Sequence, residues 1–188
     1  MPAISKREVI VSTALELFYQ HGFHATGIDK IITQAGVSKK TLYNHFTSKN
    51  ELILATLRLR DELFRNNIMR ETEHLASTPK TRLLSIFDAH ATWFNSKTFS
   101  GCMFINAAAE FSPQQDPIHI MCAEHKKLLR DYIENLAKQA MLKKPSLIAS
   151  QINLLLEGAI VEAYVGNNKQ AVYIAKNMAE LVINNACP

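Results

Sequence analysis

The 188-residue chain has few of the residues that interrupt helices or build disulfide frameworks. It holds six glycines, six prolines, three cysteines and one tryptophan. The number of cysteines is odd, and they are widely spaced, at Cys102, Cys122 and Cys187. This pattern excludes a disulfide scaffold and fits a reducing compartment. No stretch free of charged residues exceeds twelve residues, too short to cross a bilayer as a helix, and the N-terminal residues lack a long apolar signal core. We therefore expect a cytoplasmic protein.

The sequence also lacks the motifs of the common enzyme classes. It has no glycine-rich phosphate loop, no paired-histidine motif on an early helix and no nucleophile elbow. We therefore predict no catalytic residue, no cofactor and no resident metal. Helical periodicity continues to the end of the chain, without a convincing alternating strand or an internal repeat, and this favours an all-α fold.

Charge is unevenly distributed along the chain. Residues 1–60 hold eight lysines and arginines against four acidic residues, while residues 61–188 hold thirteen of each. The whole formal excess of +4 therefore lies in the N-terminal third. Such a localised excess favours nucleic acid as a partner, since phosphate neutralisation supplies much of the binding free energy. An acidic membrane surface is the alternative, but no basic cluster flanks an exposed apolar stripe.

The segment from Thr26 to Leu52 predicts two short helices joined by a tight turn. Four apolar residues at helical spacing predict the buried face of the first helix: Ile28, Ile31, Ile32 and Ala35. Gly36 can take the left-handed conformation that a sharp turn requires, and Ser38 is a suitable N-cap for the second helix. Leu42 and Phe46 lie one helical turn apart and predict the buried side of that second helix.

The opposite side of the second helix is cationic, hydrogen-bonding and aromatic, and it carries no carboxylate. It consists of Lys39, Lys40, Thr41, Tyr43, Asn44 and His45. A helix-turn-helix reader places such a helix in the major groove, where lysines meet phosphates or guanine while Thr and Asn meet base edges. The alternative is an ordinary helical hairpin with a solvated face, which the absence of carboxylates disfavours.

These residues resemble the TetR family (TetR/AcrR type) of one-component transcriptional repressors. The resemblance covers the first third of the chain and rests on the pattern Ala14-x-x-Leu17-Phe18-x-x-x-Gly22-Phe23-x-x-Thr26, then Ile28-x-x-Ile31, then Ala35-Gly36-Val37-Ser38-Lys39-x-Thr41-Leu42-Tyr43-x-His45-Phe46-x-Ser48-Lys49-x-x-Leu52. It implies a three-helix DNA-binding domain at residues 1–50 and a helical ligand-binding and dimerisation domain at residues 51–188.

The exposed face of the second helix, its cap and the resemblance together give a set of candidate DNA-contacting residues. They are Thr26, Ser38, Lys39, Lys40, Thr41, Tyr43, Asn44, His45 and Lys49. Within this set, three residues are expected to contact DNA phosphates: Thr26, His45 and Lys49. Many relatives have a small residue at the position of Lys40, so base reading and phosphate neutralisation both stay open for it.

The two final predicted helices, residues 145–164 and 171–183, are unusually apolar. Gly158, Ala159 and Ala163 are small residues at spacings that let another helix approach closely. These helices are either internal core or a two-fold interface, and the resemblance favours a homodimer built as a four-helix bundle. Two recognition helices about 34–36 Å apart would read a palindrome.

The middle of the chain is rich in large, polarisable and titratable side chains, as small-molecule sites are. Cores have the same composition, and periodicity does not separate the two. Our hypothesis is a mostly apolar effector pocket among the helices of residues 79–136. The candidate ligand-binding residues are His90, Trp93, Phe94, Cys102, Met103, Asn106, Glu110, Met121, Cys122 and His125.

The sequence therefore predicts a DNA-binding transcriptional regulator, a repressor released from a palindromic operator by a small, mostly apolar effector. Its partners would be double-stranded DNA, the effector and a second copy of the chain. The alternative is a DNA-binding thiol or metal sensor without an organic ligand, because His119, Cys122 and His125 share roughly one helical face. Free cysteines are most often inert core, and soft-metal sites usually need four converging ligands.

Overall fold

The computed structural model describes residues 5–187. These residues form nine helices and no strand, which confirms the all-α prediction. The helices are α1 (Lys6–His21), α2 (Ile28–Ala35), α3 (Lys39–His45), α4 (Lys49–Leu75), α5 (Pro79–Phe94), α6 (Met103–Glu110), α7 (Pro117–Gln139), α8 (Pro145–Tyr164) and α9 (Ala171–Asn185).

The described residues divide into two compact units. The first comprises residues 5–63 together with residues 102–125, and the second comprises residues 64–101 together with residues 126–187. Helices α4 and α7 are long enough to contribute residues to both units. The first unit thus contains the predicted DNA-binding helices and also α6.

Helix α1 is capped at both ends by its own sequence. The Ser5 side chain accepts the backbone N–H of Glu8, and the Glu8 carboxylate accepts that of Ser5, which together form a capping box. The helix ends at Gly22, whose φ of 84° is unfavourable for other residues. Phe18 and Phe23 stack across this ending with ring centroids 5.2 Å apart. One apolar stripe of the helix is buried: Ile10, Ala14, Leu17 and Phe18.

The connection between α2 and α3 turns sharply at Gly36, which has φ 62° and ψ 39°. The N–H of Val37 donates to the carbonyl of Ile32 at 3.1 Å, which satisfies an otherwise free carbonyl at the helix end. The buried face of α2 is narrower than predicted, because only Ile31 is fully buried while Ile28, Ile32 and Ala35 are half-buried.

Helix α4 begins with a cap that differs from a regular capping box. The N–H of Glu51 donates to Ser48 Oγ at 3.2 Å, as expected. The Glu51 carboxylate, however, accepts the N–H and hydroxyl of Thr47 at 2.6 and 2.8 Å. The N–H of Thr47 is the main cause that lowers the pKa of Glu51. The carboxylate therefore holds the α3–α4 turn one residue further upstream than a regular capping box does.

In the second unit, α5 and α8 both pack on α9. Helix α5 starts with a capping box between Thr78 and Thr81 and with Pro79 in its first turn. Helix α8 is long and apolar enough to cross a membrane by length and composition, with a mean hydropathy of 1.2. This is weak evidence, since core helices pass the same test, and Ile148, Ile152 and Leu156 of α8 are buried.

The turn at Gly36 yields a first prediction. Gly36→Ala is expected to lower the free energy of unfolding by about 1–2 kcal/mol, because an L side chain is strained in the left-handed conformation. A Cβ at Gly36 would meet no atom within 4 Å, so the cost is conformational and not steric. Gly27→Ala is the control, because its Cβ also meets nothing but its φ is −77°. We expect a change of only a few tenths of a kcal/mol there. Equal decreases in the free energy of unfolding of the two variants, measured by urea denaturation, would contradict this.

Candidate nucleic-acid interface

Helix α3 is held by two buried side chains, Leu42 on its inner face and Phe46 immediately after its last residue. Leu42 and Phe46 are 0% and 1% exposed, respectively. The helix begins directly after Ser38, whose Oγ accepts the N–H of Thr41 at 3.1 Å and lies 2.8 Å from the Thr41 hydroxyl. A cap at one end and two apolar contacts along one side fix which face of α3 is outward.

The outward face of α3 carries the predicted set of polar residues. Tyr43 is 45% exposed and Thr41 is half-buried beside its cap. The remaining members are exposed: Lys39, Lys40, Asn44 and His45. The structure therefore collects these side chains on one short helix, with no carboxylate among residues 39–45.

One carboxylate from the neighbouring helix approaches this face. Lys39 Nζ lies 3.6 Å from Asp29 Oδ1, and both side chains are mostly exposed. Exposed pairs of this kind contribute little free energy and are screened by salt. The pair therefore leaves Lys39 available to a phosphate.

Lys49 stands at the first position of α4 and reaches back to the α1–α2 turn. Its Nζ donates to the carbonyl oxygen of His24 at 3.4 Å. Burial lowers the pKa of Lys49, while the nearby Glu110 carboxylate acts in the opposite direction. Lys49 is thus anchored at the edge of the helix-turn-helix and is less exposed than Lys39 and Lys40.

The environment of the Thr26 side chain does not fit the predicted contact with a phosphate. Its residue is 0% exposed, and its hydroxyl donates to the carbonyl of Gly22 at 2.7 Å and points to that of Leu17 at 3.4 Å. A fully buried hydroxyl that is committed to two carbonyls is not available to a phosphate. Thr26 instead ties the start of α2 to the end of α1, so its side chain belongs to the scaffold of the turn.

The candidate ligand-binding residues fall into two groups, one in each compact unit. His90, Trp93 and Phe94 lie in the second unit, in an aromatic cluster in which Trp93 makes edge contacts with Phe64 at 4.8 Å and Phe99 at 5.0 Å. The other candidates lie in the first unit: Cys102, Met103, Asn106, Glu110, Met121, Cys122 and His125.

A small internal cavity lies in the second unit. Its volume is about 20 Å³, room for about one water molecule. It is lined by Ile68, Ile86, His90, Leu129, Tyr132, Ile133, Asn153, Leu156, Glu157 and Ile160. Of these, only His90 was predicted from the sequence. Asn153 and Glu157 lie four residues apart on α8, which places both side chains on one face of that helix.

His90 is a neutral hydrogen-bonding group in this cavity. Its Nδ1 donates to the carbonyl oxygen of Ile86 at 2.8 Å. Complete burial lowers the pKa of His90 to about 4, and the charge of Lys126 acts in the same direction. At neutral pH the ring therefore keeps Nδ1–H as donor and Nε2 as acceptor.

The residues of the metal hypothesis do not converge. His119 Nδ1 donates to the carbonyl of Phe111 at 3.0 Å, whereas His125 Nδ1 lies 2.7 Å from Asp61 Oδ1 and its ring stacks on Phe104. In residues 5–187, no group of three His, Cys, Asp or Glu side chains is placed to hold a metal ion. Cys102 and Cys122 are buried free thiols.

Comparison with known proteins decides the family. A family model described as bacterial regulatory proteins, tetR family, matches residues 10–56, which span most of α1, all of α2 and α3 and the start of α4. A second model, described as tetracyclin repressor-like C-terminal domain, matches residues 79–179. The chain belongs to the TetR family. It is accordingly a transcriptional regulator with an N-terminal helix-turn-helix DNA-binding domain and a C-terminal helical domain.

Individual relatives agree with this TetR-family assignment. The HTH-type transcriptional regulator YjdC of Escherichia coli K12 is 22% identical over 184 residues, 96% of this chain and 95% of that protein. The HTH-type transcriptional repressor ComR of the same organism is 30% identical over 118 residues, 62% of this chain and 56% of that protein. The crystal structure of a TetR-family regulator from Streptomyces coelicolor superimposes with a TM-score of 0.87 at 25% identity and covers 96% of this chain and 95% of that one.

The exposed lysines of α3 yield a second prediction. Lys39→Ala combined with Lys40→Ala is expected to weaken DNA binding and to flatten its salt dependence, each lost phosphate contact lowering the slope of log K against log salt by about 0.9. The matched control is Lys127→Ala combined with Lys138→Ala, which removes two mostly exposed lysines from α7. Fluorescence anisotropy with a labelled duplex between low and moderate salt measures both slopes. An unchanged slope in the α3 variant would show that its lysines do not meet DNA.

Proposed function

We propose that this TetR-family regulator is a homodimeric repressor that binds a palindromic operator and is released by a small, mostly apolar effector. The observation that carries the proposal is the outward, carboxylate-free cationic face of α3, fixed by Leu42 and Phe46. Repression is favoured because the relative ComR, which matches this chain beyond the helix-turn-helix, is named a repressor. Such a protein acts on DNA in the cytoplasm.

The DNA-contacting part of the proposal uses the residues that the structure leaves outward. Lys39, Lys40 and Asn44 would enter the major groove with Thr41 and Tyr43. Three further residues at the ends of the helix-turn-helix would meet the flanking phosphates: Ser38, His45 and Lys49. Thr26 is removed from this set because its hydroxyl is buried.

The homodimer is supported by an exposed apolar surface on α8 and α9. Leu154, Ile174 and Met178 are 71%, 58% and 52% exposed. They border a groove of about 320 Å³ that also contains Gly158, and a Cβ at Gly158 would meet no atom within 4 Å. Contiguous exposed apolar patches mark interaction sites, and a small residue at the centre allows close helix approach. A second copy presenting the same two helices would complete a four-helix bundle.

The effector part rests on the cavity of the second unit. Its walls are apolar, with a few polar groups that include His90 and Tyr132, as in small-molecule sites. The Tyr132 hydroxyl is buried, and burial raises the pKa of Tyr132, so the hydroxyl stays protonated at neutral pH. Because the cavity holds about one water, an effector must favour a conformation in which the lining helices separate. Nearly complete release needs about a 10⁴-fold preference for that state.

A cavity-filling variant tests the effector site. Ile160→Phe is expected to abolish release of the operator by small apolar compounds while operator affinity is kept, because the added ring occupies the cavity that Ile160 lines. Failure of every compound in a screen to release the operator from the wild-type protein would contradict this part of the proposal.

Selection of bound sites from random duplex DNA tests the function directly. We expect enrichment of inverted repeats whose half-sites are spaced by a whole number of helical turns, since each half-site meets one α3. Enrichment of no sequence above bulk duplex would contradict the proposal.

The same selection with an interface variant separates DNA reading from dimerisation. Leu154→Lys combined with Met178→Lys is expected to sediment as a monomer and to lose enrichment of the repeat, because two ammonium groups would be buried without partners. The control is Ile120→Lys, which changes a similarly exposed apolar residue of α7. A monomeric wild-type protein, or a double variant that stays dimeric, would contradict the proposed interface.

A further inference from the structure

The last residue of α6, Glu110, caps the turn between α1 and α2. Its Oε1 accepts the N–H of Phe23 at 2.9 Å, and its Oε2 accepts the N–H of His24 at 2.6 Å. Oε2 also lies 2.7 Å from His24 Nδ1. One carboxylate thus collects three hydrogen bonds from two consecutive residues. Bonds to an ionised acceptor are roughly twice as strong as neutral ones.

The carboxylate of Glu110 fits closely against this turn. A Cβ at Gly22 would lie 3.0 Å from Glu110 Oε1, so the glycine makes room for the carboxylate as well as taking a positive φ. Burial by itself raises the pKa of Glu110, but the N–H groups of Phe23 and His24 outweigh it and hold the pKa below its usual value. Glu110 is therefore ionised at neutral pH.

Aromatic contacts extend this attachment beyond the carboxylate. The ring of Phe111, the next residue, stacks on His24 with centroids 4.9 Å apart and meets Phe23 edge-on at 6.1 Å. The Phe111 carbonyl in turn accepts a hydrogen bond from His119 of α7 at 3.0 Å. The turn is thus held by the end of α6 and the start of α7.

The turn that Glu110 holds leads directly into the DNA-reading helices. Three residues after Phe23 comes the buried Thr26, and Gly27 is the N-cap of α2. The carbonyl of His24, within the same turn, accepts the Lys49 ammonium. Displacement of this turn would therefore move both the start of α2 and the anchor of a proposed phosphate contact.

We propose that Glu110 is a positioning residue for DNA recognition, whose carboxylate fixes the α1–α2 turn so that α2, α3 and Lys49 are presented together to the operator. This inference rests on DNA binding by the helix-turn-helix and is independent of the effector. By charge alone a carboxylate beside a DNA-binding surface repels phosphate. If Glu110 acts by positioning, removing its charge weakens operator binding. If it acts only through its charge, removing that charge strengthens operator binding.

Glu110→Gln and Glu110→Ala test the proposal, with Glu124→Gln, an exposed carboxylate of α7 in the same unit, as the control. We expect Glu110→Gln to weaken binding to the selected operator about tenfold and Glu110→Ala to weaken it further, as loss of hydrogen bonds to a charged group implies. Affinity for random duplex should stay equal or rise. Glu124→Gln should leave the ratio of specific to non-specific affinity unchanged.

Amide hydrogen exchange gives a readout that does not require DNA. The N–H groups of Phe23 and His24 are expected to exchange faster in Glu110→Ala than in the wild type, while circular dichroism shows the same helix content. Unchanged exchange would overturn the proposal even if no operator were found, whereas absence of a selected operator alone would overturn only the proposed function. Equal weakening of specific and non-specific binding, or tighter operator binding by Glu110→Gln, would also overturn it.

Discussion

The proposed DNA-contacting face depends on the burial of Leu42 beneath α3 and of Phe46 at its end. A helix of seven residues is too short to be stable in water by itself. Each fully buried leucine or phenylalanine contributes about 1.5–3 kcal/mol, so these two contacts hold the helix in place against that tendency. Because both lie on one side, the cationic and hydrogen-bonding residues are forced to the other. The chemistry of the proposed DNA-contacting face is thus a consequence of core packing.

The direction of α3 is set by its surroundings, which act mainly through backbone groups. Gly36 reverses the chain in a left-handed conformation, Ser38 caps the new helix, and Glu110 holds the N–H groups of Phe23 and His24 at the preceding turn. Gly36 and Glu110 would affect the proposed DNA recognition without touching DNA. The positive charge is concentrated in the same part of the chain, because its whole formal excess lies in the first sixty residues.

The features that the sequence predicted well are those encoded within a few residues. The α2–α3 turn and the Ser38 cap depend on neighbours three or four positions away. Glu110 was predicted to line an effector pocket, yet its carboxylate binds a turn 87 residues earlier, and no local pattern reports such a pairing. The boundary between domains at residue 50 stays a prediction. Helical periodicity likewise indicates which face of a helix is buried, but not which helix packs against it. For this reason His90 was the only residue of the observed cavity that was predicted from the sequence.

The central claim is that the outward face of α3 meets the bases of an operator. It is tested most directly by placing the photoreactive residue p-benzoylphenylalanine at Tyr43, with Tyr173 of α9 as the control, since the two are 45% and 43% exposed. Irradiation of the complex with the selected duplex is expected to crosslink position 43 to bases in each half-site and position 173 to no DNA. Crosslinks from position 43 that reach only protein, or DNA crosslinks from position 173, would contradict the account.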